Sequence, residues 1–210
     1  LSSQELASVN DSIMVFVDSY FPSWLSVVIT GTMPVALNTN NYLIIDLFSG
    51  FGLAFIFISI VMGLLFLSVR VGLISMLPNL IPIIFAAGYL GFSGIPIRPP
   101  IAITFSICLG IAVDDSLHFL FRFWQERKNN SNLDHAITNT IETTGLAMLT
   151  STIVLVSGFL VITISNFIPT SQFGVISAIT LTVAFITDVT LLPALLYLFP
   201  VKFKKGLEND

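Results

Sequence analysis

Charge is scarce in this sequence. Of 210 residues only 20 are charged, 8 Lys+Arg against 12 Asp+Glu, which is 10% where an ordinary soluble domain carries roughly 25%. That shortage argues against a soluble enzyme. With a sequence pI of about 4.9 and no Lys/Arg cluster larger than three, nucleic acid is excluded as a partner. Cysteine is nearly absent too. Cys108 stands alone in an apolar run, which rules out an internal disulfide and a Cys-based metal site. Two distant histidines make no metal site, and no glycine-rich phosphate loop is present, so no cofactor is expected. The first residue is Leu1, with no charged leader and no cleavage site behind it, as expected for a piece of a longer chain. What remains is apolar: 55% of residues and a mean hydropathy of +0.95. The composition is that of an integral membrane protein.

A helix crosses a bilayer with about 20 mainly apolar residues, and five stretches satisfy this. They cover residues 42–69, 71–92 (with Pro78 and Pro82), 101–123, 145–164 and 173–199 (with Asp188 and Pro193). Residues 1–41 mix Asp11, Asp18, Asn38 and Asn40 with short apolar runs and a Gly31-Thr-Met-Pro34 turn signal. They are expected to form a helix and a short strand, the α+β remnant of an extracytoplasmic domain. Between the third and fourth spans, Leu133, Ala136, Ile137, Thr140, Ile141 and Thr144 recur at helical spacing behind a Ser131-Asn-Leu-Asp134 capping pattern. An amphipathic helix on the membrane surface is expected there. The expected fold is therefore all-α and polytopic: 42–199 a transmembrane domain, 200–210 a tail.

Lysine and arginine set the orientation. Arg70, Arg122, Arg127, Lys128, Lys202, Lys204 and Lys205 fall on one side of a five-span chain and only Arg98 on the other. The C-terminus is then cytoplasmic and residues 1–41 lie outside an inner or plasma membrane.

Charged groups at bilayer depth are costly and by default functional. The third span holds two side by side in Gly110-Ile-Ala-Val-Asp114-Asp115-Ser-Leu-His118. Asp114 lies roughly 20 Å along the helix from its outer end. Adjacent helical residues point about 100° apart, so the two carboxylates face different neighbours, while Gly110, Asp114 and His118 share a stripe. Gly110 permits close approach of another helix. Two carboxylates this near in low dielectric do not both ionise easily, as a proton relay requires. The structural alternative is a pair capped by hydroxyls, for which Thr150, Ser151 and Thr152 of the fourth span are candidates. His118 either extends the relay or hydrogen-bonds to it. Asp188, set among threonines, reads first as a helix-packing hydrogen bond and second as relay support.

These residues resemble the C-terminal half of the resistance–nodulation–division (RND) superfamily, closest to its MMPL and Patched-like branch. Gly110-Ile-Ala-Val-Asp114-Asp115 is similar to the Gly-x-x-x-Asp-Asp motif of the proton-relay helix. Gly158-Phe-Leu, Phe167-Ile-Pro-Thr-Ser-Gln-Phe-Gly174 and Leu191-Leu-Pro-Ala-Leu-Leu196 resemble the helix, loop and closing segment that follow. The resemblance covers residues 42–199. It implies helices 2–6 of a six-helix repeat, with the first repeat absent from this chain, Asp114 and Asp115 as relay residues, and a hydrophobic or lipid-like substrate. Implied partners are the bilayer, the missing N-terminal repeat and, since the superfamily includes trimers as well as monomers, further copies of the chain. Asp115 stands where MMPL members often carry Tyr, which leans toward the Patched-like pattern. The basic residue of drug-efflux pumps is absent here, so the counter-group is expected in the missing half.

Two other classes compete. A sterol-sensing or secretion-accessory module shares the helix arrangement without transporting. An intramembrane aspartyl protease would use Asp114 and Asp188 with Pro193-Ala-Leu195, but Ala112-Val113 precedes Asp114 and Thr187 precedes Asp188, where that family has Gly-x-Gly-Asp and Tyr-Asp.

Overall fold

The computed structural model describes residues 3–22, 24–25, 27, 32–66, 68–97, 99–129 and 132–199. Among them every regular element is a helix: α1 (Ser3–Tyr20), α2 (Thr32–Leu65), α3 (Val69–Phe92), α4 (Pro99–Lys128), α5 (Leu133–Thr140), α6 (Leu146–Ile162) and α7 (Ile168–Leu198), with a π turn at Ile141–Gly145 between α5 and α6. Five stretches are long and apolar enough to cross a membrane: Ile45–Leu65, Val69–Phe92, Ile101–Lys128, Leu133–Ile162 and Ile168–Leu198. They match the five expected spans.

The chain divides into two compact units, Leu1–Phe48 and Ser49–Asp210. In the first, α1 forms the expected helix. The expected strand falls on Val27–Ile29, where Val27 belongs to no regular element and Val28 and Ile29 lie outside the described residues. From Thr32 the chain is helical, so residues 32–41, expected within the soluble remnant, belong to the helix that continues into the first span.

In the second unit local chemistry explains each break. Ser68 caps α3, its hydroxyl accepting from the Val71 amide at 3.4 Å. Gly94, at φ +64°, takes the left-handed conformation that ends the α3 segment, a backbone geometry that glycine adopts without steric cost. Pro99 and Pro169 sit in the first turns of α4 and α7, where no helical amide donor is lost.

Helix α7 is the hub, packing on α3, α4 and α6. Small residues let it do so. A Cβ on Gly174 would lie 2.7 Å from the Phe159 carbonyl oxygen of α6, and one on Gly72 only 2.5 Å from that of Ser59 in α2. Close backbone approach of this kind drives helix association where lipid is as apolar as the side chains. A cluster of Met62, Phe66, Val71, Met76, Phe119, Leu120, Phe123, Leu192 and Leu196 fills one end of the bundle, joined by Ala136 of α5 and Met148 of α6.

That packing changes the picture of the segment expected as a separate surface helix. Residue Ser131 of the capping pattern lies outside the described residues, and Asn132 at the cap makes no side-chain capping hydrogen bond. From Leu133 the segment is helical, but its Ala136 and Thr140 are buried and it runs without a loop through the π turn into α6. The wider turn adds one residue and re-aims the helix while keeping its backbone bonds.

Candidate functional site

Helix α4 has two faces. Cys108, Leu109, Ala112, Ser116, Phe119, Leu120 and Phe123 are buried, a stripe at helical spacing pressed against α3 and α7. The opposite stripe carries Gly110, Asp114 and His118, all exposed. The Asp114 and His118 side chains are 70% and 65% exposed and stand 3.6 Å apart, carboxylate oxygen to Nε2. A Cβ on Gly110 would meet nothing within 4 Å, so the described residues contain no helix that uses its closeness. Asp115, about 100° around the helix, is partly buried between the two faces.

Two of the candidate hydroxyls bond within their own helix. Thr150 donates to the Leu146 carbonyl at 3.0 Å and Ser151 to those of Met148 and Ala147 at 2.9 and 3.3 Å. Both turn back on α6, which packs chiefly on α7. Thr152 is buried.

Asp188 goes elsewhere, into a polar core between α3, α4 and α7. It is 1% exposed and accepts a hydrogen bond from the Ser116 hydroxyl at 2.6 Å. Ser116 accepts in turn from the Asn79 side-chain amide at 3.1 Å, and the same amide donates to the Ser75 carbonyl at 2.8 Å. The second Asp188 carboxylate oxygen is buried without a partner. Next to it, Thr187 donates to the Pro78 carbonyl across the α3–α7 contact at 3.3 Å. Pro82 has no amide N–H for that carbonyl, and the threonine supplies a donor from a neighbouring helix. Asn79 and Ser116 escaped the sequence reading. The available signal was an amide flanked by prolines in mid-span, Pro78-Asn-Leu-Ile-Pro82.

At the end of α4 charge returns. Arg122 pairs with Glu126 at 2.8 Å, and Lys128 lies 5.9 Å from the Trp124 ring centroid. Basic and aromatic residues together anchor a helix end at a membrane interface. Between α2 and α3 an open apolar groove of about 810 Å³ is lined by Phe55, Ile56, Ile60, Leu64, Val69 and Leu73.

Five helices long and apolar enough to cross a membrane, the third and fifth carrying acids within their apolar stretches, define a multi-pass membrane protein. The MMPL family profile matches residues 2–205, and the chain belongs to that family. Over 176 residues it is 27% identical to the Methanocaldococcus jannaschii protein MJ1562, named as a membrane protein, covering 84% of this chain and 45% of that one. Over 96 residues it is 32% identical to the hopanoid transporter HpnN of Burkholderia multivorans, covering 43% of this chain and 10% of that one. The chain thus spans less than half the length of either relative. No solved structure matches significantly.

Proposed function

We propose that this chain is part of a proton-motive-force-driven exporter of hydrophobic or lipid-like substrates of the RND type, with Asp114 and Asp115 as its proton relay. One observation carries the proposal: the Gly110–Asp114–His118 stripe is exposed within the membrane-length stretch Ile101–Lys128, on a face of α4 for which the described residues supply no partner helix. An acid held against lipid is unfavourable, so the face calls for a second helical repeat. Membership of the MMPL family and likeness to a hopanoid transporter support a lipid-like cargo.

Protons entering from outside neutralise an aspartate, and the helices around α4 re-pack. A charge that appears and disappears in a low-dielectric bundle biases such a rearrangement because the two arrangements hold it differently. His118, 3.6 Å from Asp114, is placed to exchange or share that proton. The basic face holding Arg70, Arg122, Arg127 and Lys128 is cytoplasmic in this reading.

The test is proton-gradient-driven export of a lipophilic probe by the full-length protein in liposomes. Asp114→Asn or Asp115→Asn is expected to abolish flux while insertion and folding persist. Undiminished flux in both variants would make the pair structural and bring the sensor or accessory class to the front.

A further inference from the structure

We propose that Asn79, Ser116 and Asp188 form a binding site for one monovalent cation, a proton or a sodium ion, in the core between α3, α4 and α7. The site is separate from the Asp114–His118 face and does not depend on the relay proposed for it.

Charge balance leads to this assignment. Asp188 is 1% exposed, and its carboxylate receives one hydrogen bond, from Ser116. The other oxygen is enclosed with no donor. An isolated carboxylate in such surroundings is strongly unfavourable unless something neutralises it. No basic side chain among the described residues does. Helices α6 and α7 contain no Lys or Arg, Arg70 lies at the start of α3, and Arg122, Arg127 and Lys128 lie in the last two turns of α4, where Arg122 is engaged with Glu126. The titratable groups facing the site do not help. Asp115, adjacent to Ser116 in α4, is a further acid and supplies no positive charge. Asp114 and His118 lie on the opposite, exposed face of α4. Tyr89 of α3 and Tyr197 of α7 are ten and nine residues along their helices from Asn79 and Asp188, about 15 and 14 Å.

The donor set fits a small hard cation. It comprises a carboxylate, a hydroxyl and a side-chain amide whose oxygen is already 3.4 Å from the Ser116 hydroxyl, and oxygen ligands of this kind bind hard cations. The levels agree as well. Asn79 and Asp188 are each ten residues from the ends of α3 and α7 that carry the basic side, and Ser116 is twelve from the end of α4, or about 15–18 Å. All three therefore meet at one depth near the middle of the bundle. A proton on the free oxygen, or a sodium ion held by the oxygens, removes the charge.

Difference infrared spectroscopy on the full chain in lipid tests this. In sodium-free buffer the wild type is expected to show the carbonyl band of a buried protonated carboxyl. Asp188→Asn removes that band, whereas Asp114→Asn and Asp115→Asn leave it. If sodium chloride but not choline chloride bleaches the band, the site takes sodium in exchange for the proton. If only base does, it takes the proton alone. Ser116→Ala, which keeps the carboxyl and needs no refolding around a changed acid, is expected to shift the band by removing its hydrogen bond. A wild-type spectrum without the band, or a band that survives Asp188→Asn and is unmoved by Ser116→Ala, overturns the proposal. Loss of the band in Asp114→Asn instead would assign it to the relay face.

Discussion

Glycine divides the two kinds of surface on this protein. Gly72 is buried where α3 crosses α2, and an added Cβ would stand 2.5 Å from one backbone oxygen and 3.0 Å from a backbone nitrogen. Backbone has little room to yield, so Gly72→Ala is expected to cost about 1–3 kcal/mol by overpacking, read as a lowered unfolding midpoint in detergent. Gly110→Ala makes the opposite test. The space around it is open, and alanine favours a helix interior over glycine by about 0.5–1 kcal/mol, so this chain alone should be unharmed or slightly stabilised. In the full-length protein the same change is expected to lower export severalfold, because the proposed partner helix needs that closeness. A stabilised fold with unimpaired export would remove Gly110 from any interface.

Between elements, the α3–α7 contact rests on a proline-generated vacancy in the helical hydrogen bonding. Pro82 withholds the donor for the Pro78 carbonyl, and the single Thr187 hydroxyl proton is shared between that carbonyl at 3.3 Å and the Val183 and Ala184 carbonyls of its own helix at 3.0 and 2.8 Å. Thr187→Val is expected to cost about 1 kcal/mol. Pro82→Ala restores the intrahelical donor, so the same threonine change should cost less in that background, with a coupling of about 0.5 kcal/mol or more in a double-mutant cycle. Additive costs would show that the two groups do not act on one carbonyl. The spans themselves were legible because each is a run of apolar residues long enough to cross hydrocarbon, a property of consecutive sequence. Continuity of α5 with α6 was not legible. The periodicity of Leu133 to Thr144 is the same whether the helix stops or bulges, and the π turn at Ile141–Gly145 has no proline to mark it. The 100° spacing correctly separated Asp114 from Asp115 but did not say which face met the bundle. Asn79 and Ser116 join Asp188 only through the register of three helices, which no local pattern encodes.

At the scale of the molecule, the charge distribution and the exposed α4 face make separate predictions. The proposed orientation puts residue 93, in the turn after α3, outside and the tail inside. With Cys108 replaced by alanine, a cysteine at Ser93 is expected to react with a membrane-impermeant maleimide in intact cells, and one at Lys204 only after permeabilisation. The reverse pattern would invert the topology. The second prediction concerns what covers α4. The hub helix α7 and the cluster from Met62 to Leu196 are built within Ser49–Asp210, so the bundle has its own packed core. Asp114 and His118 lie outside that core, 70% and 65% exposed, and in lipid each would face hydrocarbon unless it drew in water or a partner. Produced alone, the chain is therefore expected to insert, to self-associate through α4, and to show no proton-driven flux. Supplied with the proposed second repeat as a separate chain, it should exchange self-association for pairing and recover flux. Asp114→Asn, which removes the charge but not the shape, should weaken self-association without restoring transport. Flux from the isolated chain, or association that ignores Asp114, would mean that the exposed acid is not the surface on which the two halves meet.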